Sequence, residues 1–538
     1  MEITKRIPAR IALRLISALL IAAVLWRAGM SLDFKRIEKS RSSVSNEFLP
    51  IDEVVKLVDE KVASTGSVAY VVEDVNTLDG LDRSAFAAVA FRILPRRLSL
   101  VGVNHEKMHS DYVLIDNYSP DIQRLVGAKA GYREIGRTRS TSLYARIHLQ
   151  CIVNERGKDW HSPWLELRQI ASACMVAFCV CVLFAWLSGM SVRIEKRWVF
   201  AFAATAAIMA IGCLLTHTLR SPNGTAVYAG KAKLLFLTGG LPIEFFSNDD
   251  WKVFLPTYPI GLTLLTWLYY TFAGGCDNWI VQIVAYSGVV ATAFLLLNSF
   301  RTTLGKIAAL LFLVSVGSKQ ISAGFYPEGF MAAAILAAMM RIRSGDGDVV
   351  TWIIAGMAAM FKNEGLVFYC ILFAALRLCG MKHLCRISRV VVGMLPAVVW
   401  QVFVRVSDGG LDGYALNGIC TSVAHASTAL LETATFVVKD WKGGIAVIPV
   451  FMICCLASRV VSGRRMRGFT PVVFFFVAMA LCLVPLVYCF CSTDHIRWRI
   501  HSSCFRLLWT VAAVSLFGMT LFEYRVRAWL RIRGRRCG

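Results

Sequence analysis

Several short polar islands separate long apolar runs in this chain, and each holds residue types that do chemistry. Lys231-Ala-Lys233 places two ammonium groups two residues apart, a spacing that can hold a phosphate or pyrophosphate by point charge. The same pair could instead snorkel toward lipid headgroups. Asn248-Asp249-Asp250-Trp-Lys252 follows in the same island, which ends in Pro256-Thr-Tyr258-Pro-Ile260. Tyr326-Pro-Glu328-Gly sets a glutamate at the mouth of an apolar run, where it can be a base or metal ligand. A helix-start carboxylate complementing the dipole is the equal alternative. In Lys362-Asn-Glu364-Gly365 three consecutive polar side chains between apolar runs need partners or water. An internal ion pair and a functional pair both satisfy that need. The last island holds Asp494, His495, Arg497, Trp498, Arg499 and His501, then Ser503 and Arg506. An arginine such as Arg506 at a membrane border is costly unless it meets a carboxylate or a ligand phosphate.

The elements that must position these groups are apolar. Hydrophobic residues make up 57% of the 538 and charged residues only 17%, less charge than a soluble domain carries. Apolar runs of about 16–22 residues recur from 168 to 522, the length that crosses a bilayer. Spans are predicted at 10–27, 168–189, 198–217, 278–299, 304–318, 327–341, 348–361, 364–379, 386–404, 443–459, 470–490 and 503–522. The net charge of +23 sits in short segments between these runs, which argues for membrane topology and against a nucleic-acid partner. Pro256–Ala273 is apolar too, but counting it as a span would turn the basic clusters after residue 300 to the outer side. The positive-inside rule therefore makes it re-entrant or juxtamembrane, shielded by protein or lining a wet cavity.

Residues 1–29 combine a basic stretch with an apolar run and no convincing cleavage site, so they read as an uncleaved anchor. Residues 30–165 are polar, with strand-like runs at Ser67–Val72, Leu98–Val103, Asp111–Ile115 and Ser142–Ile147. Helical patterns lie between them at Ile51–Ala63, Arg83–Arg92 and Pro120–Val126. Nothing in this region has catalytic or nucleotide-binding spacing, which favours a recognition module with a protein partner. Most of the 17 cysteines fall in apolar runs and there is no Cys-x-x-Cys pair, so a zinc or redox motif is not expected. Cys151 and Cys420 are left outside the bilayer, without further support for a disulfide between them.

The expected fold class is an all-α polytopic membrane protein of about 12 transmembrane helices plus one re-entrant segment. A small α/β extracytoplasmic domain (30–165) is inserted after the first span. Residues 166–522 form the transmembrane domain and 523–538 a basic cytoplasmic tail. Both termini face the cytoplasm, and the membrane is the inner, cytoplasmic one.

Taken in order, the islands resemble those of bacterial GT-C membrane glycosyltransferases that use polyprenyl-phosphate sugars. The counterparts are Lys231-Ala-Lys233, Tyr258-Pro259, Tyr326-Pro-Glu328, Lys362-Asn-Glu-Gly365 and Trp498…Ser503…Arg506-Leu507. The resemblance implies sugar transfer from a polyprenyl-phosphate donor on the extracytoplasmic face, with inversion at the anomeric carbon. It implies phosphate contacts from Lys231, Lys233 and Arg506, and an acidic role for Glu328. Tyr258, Lys362, Glu364, Trp498, Arg499 and Ser503 join the substrate-binding set. Where the family carries its catalytic aspartate this chain has Asn223, which orients a hydroxyl but cannot be a base. Asp249, Asp250 or Glu328 would then have to serve, or the chain would be a non-catalytic binding or assembly protein. A transporter of lipid-linked saccharide is the further alternative. No cofactor is required by this reading; a divalent cation is admitted, without assigned ligands.

Overall fold

The computed structural model describes the five strand segments 67–72, 97–102, 112–116, 132–137 and 141–146. Beyond residue 162 it describes 163–189, 194–215, 223–241, 244–247, 258–276, 280–323, 325–406, 447–462, 468–489 and 504–535, with isolated residues besides. The predicted first span at 10–27 lies outside the described residues, as do most of the helical patterns predicted within 51–126.

The strands β1 (Ser67–Val72), β2 (Arg97–Gly102), β3 (Tyr112–Asp116), β4 (Tyr132–Arg137) and β5 (Thr141–Arg146) form one sheet in the order β2-β1-β3-β5-β4. β1 runs parallel to both β2 and β3, whereas β5 is antiparallel to β3 and to β4. Parallel neighbours need crossover connections, while the short β4–β5 link suits an antiparallel hairpin. Strand β4 had no counterpart in the sequence reading. Its register shift between Glu134 and Gly136 breaks the two-residue alternation on which such a reading depends.

From residue 163 onward the described chain is helical apart from its turns. In chain order the longer α-helices are α1 (Pro163–Leu187), α2 (Lys196–Leu215), α3 (Lys231–Thr238), α4 (Gly261–Ala273) and α5 (Gln282–Ser299). Then come α6 (Thr303–Ala323), α7 (Glu328–Ser344), α8 (Val349–Phe361), α9 (Glu364–Leu378) and α10 (Ile387–Val406). The last three are α11 (Val447–Ser462), α12 (Thr470–Cys489) and α13 (Phe505–Arg535). Among the described residues three stretches are long and apolar enough by themselves to cross a membrane: Arg168–Leu187, Gln282–Ser299 and Ile387–Val404. Large apolar side chains such as Phe178, Trp186, Phe200, Val399 and Ile453 point outward from the bundle. A water-facing surface would place polar groups there; a surface against lipid would not.

Helix α4 occupies the segment expected to be re-entrant. Its 13 residues rise about 20 Å, short of the roughly 30 Å hydrocarbon layer. Gly274, at φ 72°, ends it in the left-handed conformation and returns its N–H to the Tyr270 carbonyl. Arg168 Nε on α1 donates to the Phe272 carbonyl and ties that end down. Helix α13 departs from expectation in the other direction. It runs unbroken to Arg535, well past the predicted end of the span at 522, so most of the basic tail is helical. Arginine is among the better helix formers, and no proline interrupts the segment.

The core centres on α5 and α7, which are buried along nearly their whole length. They meet at glycines. A Cβ at Gly288 would lie 2.5 Å from the Phe330 amide nitrogen, and one at Gly329 would lie 2.5 Å from that of Val289. Thr292 Oγ1 donates to the Gly329 carbonyl at 2.8 Å across the same crossing. Close helix approach through small residues is how apolar helices associate without a hydrophobic driving force. Gly356 on α8 and Gly393 on α10 repeat the device. Filling the first crossing should therefore be costly. Gly329→Val is expected to lower stability by at least about 1–3 kcal/mol through overpacking against backbone. Unfolding of the detergent-solubilised protein measures it, and a variant as stable as the parent would show that the crossing yields.

Candidate functional site

The ends of α7, α8, α9 and α13 carry the charged residues singled out in the sequence. Helix α7 opens with Glu328 directly after Pro327, and α9 opens with Glu364. The positive end of a helix dipole favours a carboxylate at both places. Lys362 caps the C-terminus of α8 in an extended conformation (φ −156°, ψ 142°), so the chain reverses there and α9 starts two residues later. The negative end of α8 favours its ammonium. Gly365 lets α9 begin so close, because a Cβ there would run into the Ala358 carbonyl. Arg506 sits in the first turn of α13, where the dipole opposes it, so its position depends on partners.

Those partners are at hand. Lys362 Nζ donates to Glu328 Oε1 at 3.0 Å and lies 3.2 Å from Glu364 Oε1. Arg506 Nη1 lies 3.4 Å from the same Glu328 Oε1, with its guanidinium 3.9 Å from the centre of the Tyr326 ring. The Glu328 side chain is wholly buried, Lys362 5% exposed, Glu364 9% and Arg506 11%. Two carboxylates thus balance two cations away from water, and the second oxygen of Glu328 meets no hydrogen-bond donor among the described residues. Asn363, between the two charged turn residues, accepts from Gln401 on α10 at 3.1 Å.

A second group adjoins the first through aromatic rings. The π-helical turn Asn223–Gly230 leads straight into α3, which buries Lys231 and Lys233 and packs against α4. Lys231 Nζ donates to the Tyr258 carbonyl at 3.1 Å. The Tyr228 ring lies 6.4 Å from those of Tyr258 and Phe325, and Phe325 precedes the Tyr326 that carries Arg506. The structure thus brings together Lys231, Tyr258, Glu328, Lys362, Glu364 and Arg506. Of Asn223 only the backbone is described; Asp249, Asp250, Trp498, Arg499 and Ser503 lie outside the described residues. Tyr228 and Gln401, which stand in none of the motifs, belong to the neighbourhood, as does Tyr326 of the Tyr326-Pro-Glu328 island. Tyr228 stands three residues before Lys231 in the sequence; nothing local marks Gln401. Among the described residues no three His, Cys, Asp or Glu side chains converge as metal ligands would.

Burial pushes the Lys231 ammonium down to about 7. Between about pH 7 and its ordinary value the folded protein then binds fewer protons than the unfolded chain, so stability should rise with pH across that window. Anion binding that relies on the Lys231 charge moves the opposite way, strongest below about pH 7 and weaker above it. Titrating inorganic pyrophosphate onto the purified protein from pH 6 to 9 measures this, with Lys231→Arg expected to flatten the profile because arginine stays charged. A flat profile in the parent protein would mean that the Lys231 charge contributes nothing to anion binding.

No protein-family model, curated protein or solved structure matches this chain.

Proposed function

We propose that the chain is an integral-membrane glycosyltransferase of the GT-C type, moving a sugar from a polyprenyl-phosphate donor to an acceptor hydroxyl on the extracytoplasmic face. One observation carries this reading: Lys231, Tyr258, Glu328, Lys362 and Arg506, spread over much of the sequence, converge beside one end of the bundle. The opposite ends of α7 and α8 bear Arg341, bonded to Asp348, together with Arg343, and Arg389 donates to the Gly347 carbonyl beside them. By the positive-inside rule that basic end is cytoplasmic, which puts the cluster outside. On this reading the remaining long helices span the inner membrane with about 12 crossings, α4 re-enters from outside, and 30–165 is an extracytoplasmic module for a protein partner.

In the proposed reaction a carboxylate takes the proton of the acceptor hydroxyl, whose oxygen attacks the anomeric carbon from the side opposite the phosphate. The carbon–oxygen bond to phosphate breaks, and the leaving oxygen keeps the electron pair. Cations at the phosphate stabilise that charge where it develops, and Lys231, Lys233 and Arg506 are the cations we assign to the task. With asparagine at 223, the buried Glu328 is the carboxylate we assign as base. Reconstituted protein given labelled polyprenyl-phosphate sugars and an envelope extract should transfer sugar. Absence of both turnover and donor binding would overturn the proposal.

A second reading, a GT-C-like binding or assembly protein without turnover, is favoured by Asn223 and by the engagement of Glu328 with two cations. Restoring Asn223→Asp would then create activity that the parent lacks. A lipid-saccharide transporter fits less well, because these ionisable residues cluster at helix ends rather than at mid-depth.

A further inference from the structure

We infer that Glu328 is a built-in stand-in for the ligand's anion, holding Arg506 until a phosphate ester takes the arginine and releases the carboxylate from it. The inference rests on the anion-site reading above and adds an exchange of partners within it. A single oxygen, Oε1, meets both Lys362 at 3.0 Å and Arg506 at 3.4 Å, while Oε2 meets no donor among the described residues. The arginine contact is the longer of the two, so it is the one to yield. Lys362 has Glu364 at 3.2 Å and does not need Glu328 alone. Arg506 keeps its place without the carboxylate, because its guanidinium rests on the Tyr326 ring, a contact that survives a change of anion. A planar guanidinium also matches two phosphate oxygens better than one shared carboxylate oxygen.

The exchange keeps the buried charge in step. Two carboxylates and two cations balance as the cluster stands. An arriving phosphate adds negative charge, which repels Glu328 from Arg506 and leaves the carboxylate in need of a proton. An acceptor hydroxyl is a group that can supply one. Glu328 is thereby available as a proton acceptor only when the phosphate is in place, which protects the cluster from idle chemistry. Occupation of the cations by Glu328 must also weaken ligand binding, because a site available for only a fraction of the time binds weaker by that fraction.

The test is equilibrium binding to the purified full chain in nanodiscs of zwitterionic lipid. One arm uses undecaprenyl phosphate and the other inorganic pyrophosphate, which separates a lipid-borne phosphate from a soluble one. Glu328→Gln should bind the effective probe about tenfold tighter or more, and adding Arg506→Ala to it should abolish the gain. Glu328→Asp, one methylene shorter, keeps the charge and should give a smaller gain in the same direction; it carries the test if the glutamine variant does not fold. Binding by the parent with neither variant tighter would overturn the exchange and leave the anion site standing. Binding of neither probe by any of these proteins would overturn both.

Discussion

Replacing Lys362 with methionine should cost the protein about 3–5 kcal/mol, the penalty for breaking a buried ion pair from one side. The cation lies between Glu328 and Glu364, and its loss leaves two buried carboxylates against Arg506 alone. Removing the charge of Glu328 as well restores parity, one carboxylate against one cation. The double variant Lys362→Met/Glu328→Gln should therefore be substantially more stable than Lys362→Met by itself. Unfolding of the four proteins by added denaturing detergent closes the double-mutant cycle. Additive losses would mean that these side chains do not share buried charge. The comparison also separates stability from function, because a charge-balanced variant can be well folded while lacking the proposed base.

The second large effect is on turnover. Glu328→Gln keeps the size of the side chain and removes its ability to take a proton. If Glu328 is the base, sugar transfer should fall by roughly 10²–10⁴-fold. Arg506→Ala should fall by a comparable roughly 10²–10³-fold, the usual effect of removing one preorganised group from a developing negative charge. The two variants should part company in binding: the glutamine variant holds the probe more tightly while turning over more slowly, and the alanine variant loses both. A merely structural cluster would lower binding and turnover together in both variants. Transfer by Glu328→Gln at the parent rate would move the base to another residue, with Asp249 and Asp250 the next to replace.

The helices were legible in the sequence because apolar runs of bilayer length leave little else for the chain to do. The predicted run 348–361 appears as Val349–Phe361 and 364–379 as Glu364–Leu378. The two-residue break between them was marked by Lys362 and Asn363, polar groups that an apolar helix does not readily accommodate. Glu328, Lys362, Glu364 and Arg506 were legible for the same reason, since charge in an apolar setting stands out. Their mutual pairing was not. The spacing from 328 to 362 to 506 contains no local period, and only the packing of α7 on α8 and α13 brings them into contact. The Gly288–Gly329 crossing was hidden as well, because a glycine in an apolar helix looks like filler until its neighbour is known. Strand β4 escaped through its bulge.

Gly329 follows Glu328 directly, so the crossing that locks one residue also sets the height and facing of the other. That adjacency makes the protein unequal in its tolerance of insertions. A residue added to a connection outside the bundle lengthens a tether and little more. One added within α7 would turn everything beyond it by about 100°, forcing either the glycine seam or the Arg341–Asp348 link at the far end out of register. Variation in length should therefore accumulate outside the α7–α8–α9 run, and the distance from Glu328 to Lys362 along the chain should behave as a fixed gauge.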